Sequence, residues 1–239
     1  MPGLHIPTNP NLHILFDLLA WGSAALLAAF LYRWRLREQA GVAMRTGPLY
    51  AFALAAGAIA GAWAFGSWNT ALDAVPHPSH SMAGALAGGI VAVELYKLAR
   101  GIRGSTGAIW VGPLALGIAV GRWGCLFAGL GDETYGVPAS LPWSVDLGDH
   151  IPRHPVQLYE SFAMLAFLIL YLVALGRRAA WTRARAFYLF VLWYAVQRFA
   201  WEFLKPYPRL LGPLDVFQLL ALAMILYALA FDARARRNG

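Results

Sequence analysis

The chain has 239 residues, of which 59% are hydrophobic and only 13% charged, with a mean hydropathy of +0.54. That balance excludes an ordinary soluble domain and predicts an integral membrane protein. The net charge of +7 has no aromatic and basic nucleic-acid module beside it, so it points to topology and anionic lipid; no nucleic-acid partner is expected.

The first residues, MPGLHIPTNPNLH, carry no Lys or Arg, so a cleavable signal peptide is not expected and the first apolar segment is predicted to persist as a helix. Apolar runs long enough to cross a hydrocarbon core follow at roughly 12–33, 48–68, 81–99, 108–130, 157–176, 184–204 and 212–232. Breakers divide them: Gly47 and Pro48 before the second, Pro76 and Pro78 before the third, Asp149, Pro152 and Pro155 before the fifth, and Pro206, Pro208 and Pro213 before the seventh. The expected fold is therefore all-α, one transmembrane domain over 1–239 with seven helices.

Charge sets the expected orientation. Of the 19 Lys and Arg residues, fourteen fall in alternate segments: Arg33, Arg35, Arg37 and Arg45; Lys97, Arg100 and Arg103; Arg177, Arg178, Arg183 and Arg185; Arg234, Arg236 and Arg237. The opposite side holds only Arg153, Lys205 and Arg209. This bias predicts an outer N-terminus and a cytosolic C-terminus. The outer side then carries a long loop, 131–156, containing Asp132, Glu133, Asp146, Asp149, His150, Arg153 and His154, with Trp143 suited to a membrane interface.

The two remaining basic residues, Arg122 in GRWGCLFAG and Arg198 in QRFAWEFL, lie inside apolar runs. An ionised side chain there costs at least ~2.5 to 3.5 kcal/mol on insertion scales, which marks both as functional candidates. Two guanidiniums suggest an anionic headgroup, most simply a phosphate. Glu202 lies four residues after Arg198 and can neutralise it, while Glu160 can sit at the interface or pair with Arg122. Asp17, Glu94 and Asp215 lie near helix ends, where capping or snorkelling accounts for them. Cys125, the sole cysteine, reads as a small buried residue rather than a reactive thiol. His77, His80, His150 and His154 match no metal-ligand spacing, so neither metal nor organic cofactor is expected.

GRWGCLFAG, DETYG, LPWSVDLGDHIPRHPVQLYES and QRFAWEFLKP, in this order, resemble the prolipoprotein diacylglyceryl transferase family over about 81–225. That family carries GRxGNFxNGE, RHPSQLYE and FRxxxEFFR on seven transmembrane helices with an outer N-terminus. The resemblance implies transfer of a diacylglyceryl group from phosphatidylglycerol to the thiol of a lipoprotein-precursor cysteine, with release of glycerol phosphate at the outer, periplasmic face of a bacterial inner membrane. It places Arg122 and Arg198 on the phosphate, with Glu202 orienting Arg198 or taking a proton. Glu133 is matched to the glutamate of NGE after a short insertion, and Arg153, His154, Gln157, Tyr159 and Glu160 to RHPxQLYE. Gly121, Gly124 and Cys125 flank Arg122 in the signature, and Lys205 replaces the last arginine of EFFR.

Three departures stand beside these matches. SMAGALAG replaces the family's SFHGGLIG, putting Ala83 where a catalytic histidine is proposed, and leaving His80, one helical turn earlier, as a substitute base. Cys125 stands for the asparagine of GRxGN, and LLAWGS, with Trp21, replaces an N-terminal tyrosine region. Loss of the imidazole keeps open a different class, a non-catalytic lipid-binding or transport protein. A transporter of paired, pseudo-symmetric halves finds no support in the odd helix number.

Overall fold

The computed structural model describes residues 3–44, 46–73 and 75–237, with only the backbone for 41–44, so Arg45 of the charge pattern lies outside the described residues. The described chain is helical apart from a two-stranded pairing. Its helices are α1 (Asn11–Leu31), α2 (Arg37–Met44), α3 (Pro48–Thr70), α4 (Met82–Ala99), α5 (Val111–Ala128), α6 (Val156–Gly176), α7 (Trp181–Ala184), α8 (Ala186–Glu202) and α9 (Val216–Arg237); the strands are β1 (Leu4–His5) and β2 (Val145–Asp146).

Six helical spans, Asn11–Ala40, Pro48–Thr70, Met82–Ala99, Ala108–Asp132, Val156–Gly176 and Val216–Arg237, are long and apolar enough to cross a membrane. The expected seventh, at 184–204, forms α8, whose 17 residues rise only about 26 Å at 1.5 Å each. The first span outruns its expected end near residue 33 because no proline interrupts residues 11–44: the helix continues through a π turn at Tyr32–Leu36 into α2. Helix α9 begins at Val216, later than expected. Asp215 and Gln218 close a reciprocal cap there: the Gln218 amide donates to Asp215 Oδ1 at 2.8 Å and the Asp215 amide to Gln218 Oε1 at 3.0 Å. The capping role expected of Asp215 is thus realised.

The chain forms two compact units. The first comprises Met1–Arg37, Ile109–Thr182 and Phe203–Pro206, in which α5 packs against both α1 and α6. β1 pairs in parallel with β2, setting Leu4 against Val145 and His5 against Asp146. The N-terminal strand and the 131–156 segment therefore share one end of this unit. That segment is folded: Val145 and Arg153 exchange backbone hydrogen bonds at 2.9 and 3.0 Å, and Val145 and Leu147 are buried with Leu126.

The second unit comprises Glu38–Ala108, Arg183–Glu202 and Tyr207–Gly239. Here α3 and α4 approach almost backbone to backbone, through Gly57 and Gly61 on one helix and Gly84 and Gly88 on the other. A Cβ on Gly61 would lie 2.3 Å from the Gly84 carbonyl oxygen, and one on Gly88 2.2 Å from that of Gly57. Two small-xxx-small pairs meeting in this way give helices in lipid the close packing that a shared apolar surface cannot. Buried Lys97 is held by Glu94 at 2.9 and 3.0 Å, and Tyr227 donates to the same Glu94 at 2.9 Å.

Candidate functional site

In the first unit, Arg122 lies on the last two turns of α5, buried, with its Nε on Glu160 Oε2. Glu160 comes from the first turns of α6, and its other oxygen accepts from Lys205 Nζ at 2.7 Å. Glu160 and Lys205 are each only 1% exposed, so one carboxylate is shared by two cations out of water. The pairing of Arg122 with Glu160, one of two options open in the sequence, is what forms. Burial of such a group is tolerable only when ion pairing and hydrogen bonding offset its lost hydration.

Arg122 Nη1 also reaches Cys125 Sγ at 3.6 Å, and Cys125 Sγ lies 3.9 Å from His13 Nε2 on α1. Gly124 permits this approach: a Cβ there would meet Phe16 Cβ at 2.8 Å and His13 Cα at 3.5 Å. Gly121 is under no such constraint, its nearest neighbour being Ala20 Cβ at 3.9 Å. His13 Nε2 is 3.1 Å from Asp132 Oδ1 and His13 Nδ1 is 2.9 Å from Asp17 Oδ2. The carboxylate delivered to this group by the turn after α5 is therefore Asp132. Glu133 caps that turn in the left-handed region, φ 57°, and its side chain is exposed.

The RHPVQLYE residues occupy several settings. Arg153 makes a two-pronged contact with Asp149, at 2.6 and 2.7 Å, donates to the Ile151 carbonyl at 3.0 Å and lies over the Tyr135 ring. It braces the 131–156 segment. The same contact holds the Asp149 carboxyl below its ordinary range, as the Gly148 and His150 amides do for Asp146. His154 Nδ1 is 3.3 Å from the Tyr159 hydroxyl, which accepts from the exposed Trp143 at 2.9 Å. Gln157 is 1% exposed, and neither of its side-chain amide atoms has a hydrogen-bond partner among the described residues. A buried amide left so costs about 1–3 kcal/mol, which a polar ligand group would recover.

In the second unit, Arg198 and Glu202 form the expected i,i+4 pair at 2.5 Å, with relative exposures of 3% and 0%. The Arg198 guanidinium also lies over Phe217 on α9. Ala83 is buried at the start of α4, beside the glycine contact with α3. Ser81 caps this helix from an extended conformation, accepting from the Gly84 amide at 3.2 Å. His80 consequently precedes the helix instead of sitting a helical turn before Ala83; it is exposed, with its ring near Trp63.

The sequence model of the prolipoprotein diacylglyceryl transferase family matches residues 19–233. The chain belongs to this family. A phosphatidylglycerol–prolipoprotein diacylglyceryl transferase of Methylococcus capsulatus is 37% identical over 161 residues, 64% of this chain and 60% of that protein. Proteins of the same name from Finegoldia magna and Geobacter sulfurreducens are 32% and 33% identical, over 54% and 52% of this chain and 50% and 48% of their own lengths. The chain spans about half to three fifths of the length of these curated relatives.

Of the residues singled out in the sequence, the structure brings Arg122, Glu160 and Lys205 together in the first unit and Arg198 with Glu202 in the second. The sequence reading did not group His13, Asp17 and Asp132. Their one available signal was the i,i+4 spacing of His13 and Asp17 beside an apolar helix; the contact to Cys125 spans 112 residues.

Proposed function

We propose that this protein is a diacylglyceryl transferase of the bacterial cytoplasmic membrane, taking its donor group from phosphatidylglycerol and passing it to the thiol of a lipoprotein precursor. The thiol sulfur forms a bond to the glyceryl carbon, the carbon–oxygen bond to phosphate breaks, and glycerol phosphate leaves with the electron pair. The observation that carries this reading is buried Arg122, held by Glu160 on the motif positions expected for a phosphate ligand. A fixed cation lowers the barrier by meeting the charge that grows on the leaving phosphate. Arg198, aligned by Glu202, is assigned the same kind of contact, and Gln157, His154 and Tyr159 are assigned to the headgroup. Glu133 and His80 are the assigned proton-handling groups, neither buried; Lys205 through Glu160, Cys125 through the guanidinium and Gly124 through the close approach of α1 support Arg122, whereas Gly121 only flanks it in the motif.

In this reading the whole chain acts as one transmembrane domain, α8 crosses as the seventh span, the N-terminus and 131–156 face the periplasm, and the C-terminus is cytosolic. The alternating Lys and Arg distribution and the common end shared by β1 and β2 support that orientation. Ala83 in place of an imidazole favours a second reading, a protein that binds the phospholipid without turning it over.

One reconstituted assay separates them: labelled phosphatidylglycerol and a lipobox peptide, with mass spectrometry of both products. A peptide gaining a diacylglyceryl mass is the expected result, lost in Arg122→Ala and Arg198→Ala. Glycerol phosphate without modified peptide would assign another acceptor, and lipid binding with neither product would establish the binding role. Near-normal turnover in both arginine variants would sink the phosphate assignment.

A further inference from the structure

His13, Cys125 and Asp132 converge from α1, α5 and the turn that follows α5, with one ligand-type atom from each, all lying within 4.8 Å of one another. His13 Nε2 is 3.1 Å from Asp132 Oδ1 and 3.9 Å from Cys125 Sγ. In tetrahedral zinc, bonds of about 2.0 Å to nitrogen and oxygen and about 2.3 Å to sulfur put ligand atoms roughly 3.3 to 3.5 Å apart. The two His13 distances lie within about half an ångström of that spacing, and the remaining pair, Cys125 with Asp132, would have to close from at most 4.8 Å.

The surroundings carry the inference further than spacing does. A metal-binding histidine ordinarily donates its second ring N–H to a carboxylate, which fixes the ring and leaves the other nitrogen's lone pair for the metal. His13 has that partner, Asp17 Oδ2 at 2.9 Å from Nδ1, on the side of the ring away from Cys125 and Asp132. A ligating carboxylate is in turn held by a hydrogen bond, and the Thr134 hydroxyl donates to the second oxygen of Asp132. The Arg122 guanidinium lies 3.6 Å from Cys125 Sγ, and Glu160 offsets the arginine's charge toward an incoming cation. Once bound to the ion, a thiolate and a carboxylate would supply two negative charges to it.

We propose that His13, Cys125 and Asp132 form a mononuclear zinc site with a fourth coordination position open to an external ligand. One sulfur, one imidazole and one carboxylate suit a borderline-soft ion and disfavour magnesium or calcium, which take oxygen. Three protein ligands with an open position are the pattern of a reactive zinc site, not of a structural one. The assignment does not depend on the transferase reading.

The test uses the full chain, purified in detergent without a histidine tag, stripped by chelator and titrated with Co²⁺ and then Zn²⁺, with metal content read by mass spectrometry. Cys125 is the sole cysteine, so a thiolate-to-cobalt charge-transfer band reports it alone. One cobalt per chain, with that band, displaced by one zinc, is the expected result. Asp17→Asn should weaken binding about 10- to 100-fold while keeping the stoichiometry. Cys125→Ser should lose the band and His13→Ala the binding. Unsaturable binding, cobalt bound without the band, or equal affinity in Cys125→Ser would overturn the site, and the first two are read on the unmodified protein, whatever the variants do to folding.

Discussion

Glu160→Gln offers a direct reading of how the buried charges around Arg122 are balanced. The carboxylate serves two cations, Arg122 Nε on one oxygen and Lys205 Nζ at 2.7 Å on the other, with Lys205 itself 1% exposed. At an effective dielectric of about 20, one ion pair with its charge centres ~4 Å apart is worth about 4 kcal/mol before desolvation is counted. Removing the shared partner therefore takes away two such interactions and leaves two buried like charges. Observed costs for breaking a single buried pair, about 3–5 kcal/mol, set the scale for the loss of stability. Removing one cation as well, in Glu160→Gln/Lys205→Met, restores the original net charge of the group and should recover part of the loss. Denaturant unfolding in mixed micelles of the wild type, both single variants and the double variant measures the coupling. A cost below about 1 kcal/mol for Glu160→Gln, or a double variant less stable than Glu160→Gln alone, would refute a shared buried carboxylate.

Other expectations follow from particular contacts. Gly61→Ala and Gly84→Ala each drive a Cβ to 2.3 Å from a facing carbonyl oxygen, so each should cost at least about 1–3 kcal/mol of stability, whereas Gly22→Ala, with nothing within 4 Å, should gain roughly 0.5–1 kcal/mol; thermal unfolding in detergent ranks them. Gly124→Ala should abolish turnover and cobalt binding together by forcing α1 from α5 at His13, and Gly121→Ala should leave both near wild type, as the same assays would record. Asp146 and Asp149 titrate lower in the folded 131–156 segment than in the unfolded chain. Their contribution is complete above the ordinary aspartate range, near pH 4, and is lost as pH falls through their lowered values; amide exchange of 131–156, corrected for its intrinsic pH dependence, should lose protection only in that acid range.

What could be read from the sequence divides along the range of the interactions. Helix positions came from composition and from Pro and Gly, which act locally, so the six spans were visible and their starts were set by features such as Pro48 and the Asp215–Gln218 cap. The Arg198–Glu202 pair was legible because four residues on a helix fix a shared face. Glu160 with Arg122 was legible only as one of two options, since charges at membrane depth need partners but spacing does not name them. The α3–α4 contact lay in plain view as two glycine pairs four apart, yet a small-residue pattern acquires meaning only when its partner helix is known.

His13 marks where sequence reading stops. In the chain it is a lone histidine at the head of an apolar helix, an ordinary interfacial position. Its role is set by Gly124, which lacks the Cβ that would hold α1 away, and by the left-handed turn at Glu133 that follows Asp132. The same substitution that takes the family's asparagine from GRxGN places a thiol beside His13 and Arg122. Ala83 and Cys125 are thus opposite changes: one removes a titratable group, and the other adds one next to the cation assigned to the phosphate. If that thiol binds zinc, the metal would lower the pKa of an acceptor thiol entering the open position, its proton would pass to the assigned proton-handling group Glu133, and the reaction would not require an imidazole at residue 83.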